Sequence, residues 1–148
     1  VPKTLETFAK VAQERVREEL TRLLVGGHPA RGVALLRETG LLARILPEVA
    51  ALVGVEEQGR DAFELTLARL DRIPGDLELR LGALLHDLEL APRPAKLPKR
   101  LGRVEAVLDR LRYPLKVIEQ VGLLVKHRDF ALRRYADDAA LRRALALA

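Results

Sequence analysis

The sequence contains no cysteine, methionine or tryptophan, and no serine or asparagine either. Without cysteine there can be no disulfide and no thiolate metal site. Without cysteine and serine the usual acyl-transfer nucleophiles are gone, and only threonine hydroxyls remain. No apolar run reaches membrane-spanning length and no signal peptide is visible, so no membrane partner is expected and a cytoplasmic setting fits. Period-two alternation of β-branched residues never persists, which argues against a sheet-based core. With no methionine, Val1 need not be the natural start, and the chain reads equally well as a fragment of a longer protein. The missing Cys, Met and Asn, together with arginine far outnumbering lysine, fit a thermophile or a GC-rich genome.

What is present is helical spacing. A chain of 148 residues can bury a core without staples, as one domain or as two small helical lobes sharing a core. The expected fold is an all-α bundle of about seven to eight helices. The first runs from about Thr4 to Val25, with Thr4 as a partial cap and Leu5, Phe8, Ala12 and Val16 inward. Gly26 and Gly27 stop it with a left-handed cap. Pro29 opens a second helix, which His28 is expected to cap; Gly40 ends it, and Pro47 interrupts the apolar run Leu41–Val49. The turn-rich residues 53 to 59 are the expected boundary between a lobe of residues 1–55 and a lobe of residues 60–148. Beyond it, helices are expected over Asp61–Arg72, over Leu77 to about Leu88 with Asp76 as cap, over Lys99–Leu111, and from Leu115 to about Lys126. A last helix capped by Asp137 follows, and the proline-rich residues 91 to 98 form a loop. The helix starting at Leu77 is the most apolar and is expected to be central.

Charge is uneven. The net charge is +5, yet residues 93 to 134 hold twelve Lys or Arg against four acids, which leaves −3 for the remainder. Such asymmetry suits a polyanion-facing surface, because phosphate neutralisation dominates nucleic-acid affinity, although a solvated helical surface accounts for it equally well.

Two stretches carry a family resemblance. ERVREEL, followed by PARGVALLRETGLLARILPE, resembles the neck-to-body segment of bacterial tRNA nucleotidyltransferases and poly(A) polymerases, in one register over some thirty positions. DAFELTLARLD and LGALLHD resemble the metal-phosphohydrolase domain of HD type found at the end of several members of that family. The family's HD-type pattern reads D-x-F-E-H-T-L-x-A-L-D, then A-A-L-L-H-D. The resemblance implies a neck and body lobe first and an HD-like lobe second, without the catalytic head.

The resemblance also implies a metal site, and the residues speak against it. His86 and Asp87 are suitable first-row metal ligands, but two protein ligands do not hold a catalytic divalent ion. The family's first histidine falls on Leu65, and Lys99 and Arg100 stand near where a later one belongs. His127 and Asp129 are the remaining candidates. His86 and Asp87 are therefore expected to be vestigial and unoccupied, with no cofactor and no catalytic residue assigned. Nucleotidyl transfer, which needs carboxylates holding two metal ions, has no counterpart here: the acidic residues and Gly-Ser motif that the family carries upstream are missing.

Three functions compete. The first is an RNA-binding module, with tRNA or another RNA as partner, acting beside a separate catalytic head. Its phosphate contacts would come from Arg31, Arg37, Lys99, Arg100, Arg103 and Arg112. On that reading the chain alone is no enzyme. The second is a divalent-metal phosphohydrolase built on His86 and Asp87. The third is a non-catalytic interaction module, such as a homodimer through leucine-rich surfaces.

Overall fold

The computed structural model describes residues 2–90 and 102–127, with side chains from residue 10 onward. These residues form eight α-helices, one 3-10 turn and a two-strand hairpin. The all-α expectation holds, with the hairpin as a small addition at its edge.

Helix α1 is Pro2–Val25. It starts before Thr4, because a proline at the first helical position gives up only an N–H that would have no partner there. Thr4 therefore lies inside the first turn and is not its cap. The exit also differs from expectation. Neither Gly26 nor Gly27 takes a positive φ, and the carbonyls at this end are held by an arginine from a later helix.

Helix α2 is Pro29–Glu38, again opened by proline; His28 precedes it but makes no side-chain cap hydrogen bond. At its far end the Thr39 hydroxyl donates to the carbonyls of Leu35 and Leu36, at 3.0 and 3.1 Å. Gly40 then turns the chain at φ +80, a conformation that only glycine adopts without strain. Where α2 crosses α1, a Cβ on Gly32 would sit 2.7 Å from Leu23 Cγ, so the absent side chain sets the approach. Helices α3, Leu41–Ile45, and α4, Pro47–Ala50, are the interrupted run seen in the sequence, joined through fully buried Leu46.

Strands β1, Glu56–Glu57, and β2, Arg60–Asp61, pair antiparallel, Glu56 opposite Asp61. Gln58 and Gly59 between them both have positive φ, as a two-residue hairpin turn of primed type requires. Helix α5, Ala62–Arg72, begins on Asp61, whose Oδ1 accepts the Phe63 and Glu64 N–H groups while Oδ2 accepts that of Gly54 at 2.6 Å. Helix α6, Leu77–Leu85, is capped by Asp76 through the Leu79 N–H, as expected. It ends short of Leu88, and the chain continues as a 3-10 turn over Leu88–Leu90. Helices α7, Arg103–Arg110, and α8, Leu115–Lys126, complete the described chain. The proline-rich loop at 91 to 98, the residues around Lys99, and the Asp137-capped helix lie outside the described residues.

Helix α6 is central: every residue from Leu79 to Leu88 is buried, and the helix packs against α1, α5 and α8. One core cluster joins Leu20 and Leu24 with Phe63, Leu70, Leu81, Leu84, Leu108 and Val121. At about 1.5–3 kcal/mol for each fully buried large side chain, this cluster is the main source of stability. Ala12, expected to face inward, is exposed, and Val16 is half-buried. Leu5 and Phe8 lie outside the described side chains.

Candidate functional site

The His-Asp pair closes the C-terminal end of α6, where the helix gives way to the 3-10 turn. His86 and Asp87 are both buried, at 7 and 3 % exposure. Nδ1 of His86 and Oδ1 of Asp87 are 2.5 Å apart. The other carboxylate oxygen, Oδ2, accepts from Nη1 of Arg69 at 3.1 Å. Burial alone would raise the Asp87 carboxyl; hydrogen bonds from His86 and Glu57 and the Arg69 charge together outweigh it and hold the group well below the usual carboxylate range. Glu57, on β1, is pushed the other way, by burial first and then by its hydrogen bond with Asp87 and the Asp87 charge. Its Oε2 is buried without a hydrogen-bond partner among the described residues.

Sequence reasoning missed two members of this cluster, Glu57 and Arg69. Arg69 had a signal: it stands where the HD-type pattern D-x-F-E-H-T-L-x-A-L-D writes alanine. Glu57 had none, because only the hairpin brings it to the end of α6. Leu65, where the pattern has histidine, is half-buried on α5. His127 sits exposed at the C-cap of α8, and Asp129 lies outside the described residues. Among the described residues no group of three His, Asp or Glu side chains is arranged to hold a metal ion. In their chemistry the described residues do not fit the divalent ion that the HD-type resemblance implies, because the Asp87 carboxylate is already engaged by His86 and by the Arg69 guanidinium.

The arginines divide into two sets. Arg31 and Arg37 project from α2 and are exposed, as is Arg112 after α7. Arg37 lies over the ring of Phe63, 5.2 Å from its centroid, a cation–π contact at the surface. Arg112 has φ +64, and its carbonyl accepts from Nη1 of Arg17 at 2.6 Å, tying α1 to the end of α7. Arg103, expected to reach RNA, is instead buried at 8 % exposure. Its Nη1 donates to the Leu88 carbonyl at 2.6 Å and its Nε lies 3.5 Å from Glu89. Its position at the start of α7 turns it toward the 3-10 turn, so it is withdrawn from the phosphate contacts. Lys99 and Arg100 lie outside the described residues.

An apolar groove of about 600 Å³ opens between α1, α2 and α3, floored by Val16, Leu20, Leu23, Leu36, Leu41 and Ile45. Arg15, Glu19 and Arg22 of α1 also line it.

The described residues thus form an all-α unit with outward arginines on an early helix and a closed ion cluster at the end of α6. Residues 2–52 match the family described as "Probable RNA and SrmB- binding site of polymerase A". The CC-adding tRNA nucleotidyltransferase of Thermus thermophilus is 37% identical over 152 residues, covering 84% of this chain and 35% of the relative. The multifunctional CCA protein of Alkalilimnicola ehrlichii is 37% identical over 141 residues, 81% of this chain and 34% of the relative. That of Halorhodospira halophila is 43% identical over 108 residues, 67% and 26% of the two chains. The resemblance to the nucleotidyltransferases is thus shown: the chain is related to the tRNA nucleotidyltransferases, and spans about a third of the length of these curated relatives. No solved structure matches it.

Proposed function

We propose that this chain is a tRNA-binding module of tRNA nucleotidyltransferase type, which grips RNA while nucleotidyl transfer is carried out elsewhere. The observation that carries the reading is that Arg31 and Arg37 stand exposed on α2, inside the segment matching an RNA-binding family, without an ion pair among the described residues. Arginine suits this role because its planar fork meets phosphate oxygens in pairs and stacks on bases. Arg112 is the third contact. Lys99 and Arg100 remain proposed contacts on the strength of charge alone.

The chemistry belongs to the part of the family chain that these residues do not span. Two-metal nucleotidyl transfer needs converging carboxylates. Asp87, the most buried acid of the cluster described above, is already engaged by His86 and Arg69. The groove beside α1, open among the described residues, is the seat we assign to that remaining part, because these relatives are about three times as long as the segment they share with this chain. A second copy of the chain is the competing occupant, and sedimentation of the isolated chain distinguishes the two.

Fluorescence anisotropy with labelled tRNA tests the binding reading. Affinity should fall steeply with salt, and replacing Arg31 and Arg37 with Ala should lower the magnitude of the log–log slope by about 1 to 2, at about 0.7–0.9 per neutralised phosphate. Absence of binding at low salt removes the proposal.

A further inference from the structure

We infer that Arg69 stands in this chain where a metal ion's charge would stand, so that the His86–Asp87 pair forms an internal clasp between α5 and α6 and takes no divalent cation. Two departures on α5 combine to produce this. Leu65 and Arg69 are four residues apart, which places them on one face of the helix, one turn apart. At Leu65 an alkyl side chain replaces a group that could ligate. At Arg69 a guanidinium replaces a methyl and reaches Asp87 Oδ2 at 3.1 Å. The face of α5 that would supply a ligand has therefore lost it and gained a cation.

Both oxygens of Asp87 are engaged, one by His86 and one by Arg69. A divalent ion approaching that carboxylate must displace the guanidinium or lie beside it. Arginine cannot yield by losing its proton, as a lysine can, so the positive charge stays in place at any working pH. The Arg69 side chain is 22 % exposed and Asp87 only 3 %, so the pair is poorly screened by solvent. A charge pair so placed fixes the end of α6 against α5, which is the mechanical service that a bridging ion performs in a metal site. Removing one partner leaves a buried charge behind, so the clasp is costly to open.

The test is metal binding by the full chain, read by calorimetry with Mn²⁺ and by visible absorption with Co²⁺. The wild-type chain is expected to show no saturable binding and no ligand-field bands. The double variant Leu65→His, Arg69→Ala is expected to bind Co²⁺ stoichiometrically, about a hundredfold or more tighter than wild type. Adding Asp87→Asn to that variant is expected to abolish the binding. Stoichiometric binding to wild type that Asp87→Asn abolishes would overturn the inference. So would a double variant that shows native helical circular dichroism and binds nothing. If the double variant does not fold, Arg69→Met and Arg69→Lys decide the matter. A clear loss of thermal stability in the first, partly restored in the second, supports the clasp, and an unchanged Arg69→Met melt refutes it.

Discussion

Arg80 gives the sharpest quantitative test of how this fold is held. It sits in the middle of α6, the most apolar helix, and is 8 % exposed. Its partners among the described residues are three backbone carbonyls. Nη1 donates to Leu24 at 2.5 Å and to Gly26 at 2.6 Å, and Nε donates to Ile73 at 3.2 Å. The first two are carbonyls at the C-terminal end of α1, where the helix leaves its last acceptors unpaired and carries partial negative charge. The third lies at the C-cap of α5. One side chain therefore closes two helix ends against a third helix. Arg80→Met keeps much of the volume and removes every donor. Each carbonyl left buried and unpaired costs about 1–3 kcal/mol. The burial cost of the guanidinium, which disappears with it, offsets part of that. With Gly26 near enough to the surface to recruit water, the net loss should be about 2–5 kcal/mol. Arg80→Lys, which can serve one of the three acceptors well, should recover about a third of it. Urea unfolding followed by circular dichroism measures both. An Arg80→Met chain within about 0.5 kcal/mol of wild type, at unchanged m-value, would refute the reasoning, because it would mean that these carbonyls are satisfied without the guanidinium.

Other consequences are equally direct. Asp61→Ala removes the α5 cap and the Gly54 contact, and should cost about 1–2 kcal/mol in the same unfolding assay. The Gly54 N–H, ahead of the α5 N–H groups, holds the Asp61 carboxyl below its ordinary 3.8. Its contribution should therefore be complete above the unfolded value and be lost as pH falls through and below about 4, a dependence that Asp61→Asn flattens. Gly32→Val must push Leu23 aside at the α1–α2 crossing and should cost about 1–3 kcal/mol, while Gly27→Ala, with nothing within 4 Å of the added carbon, should be nearly neutral. Arg110 forms a bidentate pair with Glu48 and also donates to the Ile45 carbonyl at 3.1 Å. A double-mutant cycle between Arg110 and Glu48 should give about 0.5–1 kcal/mol at low salt, because the arginine is 38 % exposed.

Most of the helices were legible because their signals are local. Prolines at 29 and 47 open helices, Asp76 caps one, and leucines recur at helical spacing through α6, whereas the opening by Pro2 and the cap at Asp61 went unread. The readings that failed depend on residues distant in sequence. Two adjacent glycines look like a helix stop by backbone conformation, and the actual stop comes from Arg80, 54 residues beyond Gly26. The charge count marked Arg103 as a surface cation because composition cannot see that Leu88, fifteen residues earlier, offers it a carbonyl. At the His-Asp pair, the lost ligand at Leu65 was visible from the pattern, while the Glu57 contact exists only because a two-residue hairpin folds back on α6.

The same observation changes what the basic balance means. Formal charge treats every arginine alike, but in this fold Arg69, Arg80, Arg103 and Arg110 are engaged by acids and carbonyls inside the chain. Two of these, Arg103 and Arg110, belong to the basic stretch that suggested a polyanion-facing surface. A guanidinium already bound to an internal acceptor has little donor capacity left for phosphate and releases few counterions when RNA arrives. The salt dependence of RNA binding should therefore report the proposed contacts Arg31, Arg37 and Arg112, with Lys99 and Arg100, and not all of the twelve cations counted between residues 93 and 134. Arg103→Gln then separates the two accounts. If Arg103 acts inside the fold, the variant lowers the unfolding midpoint and leaves the salt slope of tRNA binding unchanged. A slope lowered by about 0.7–0.9 at unchanged stability would put Arg103 on the RNA after all.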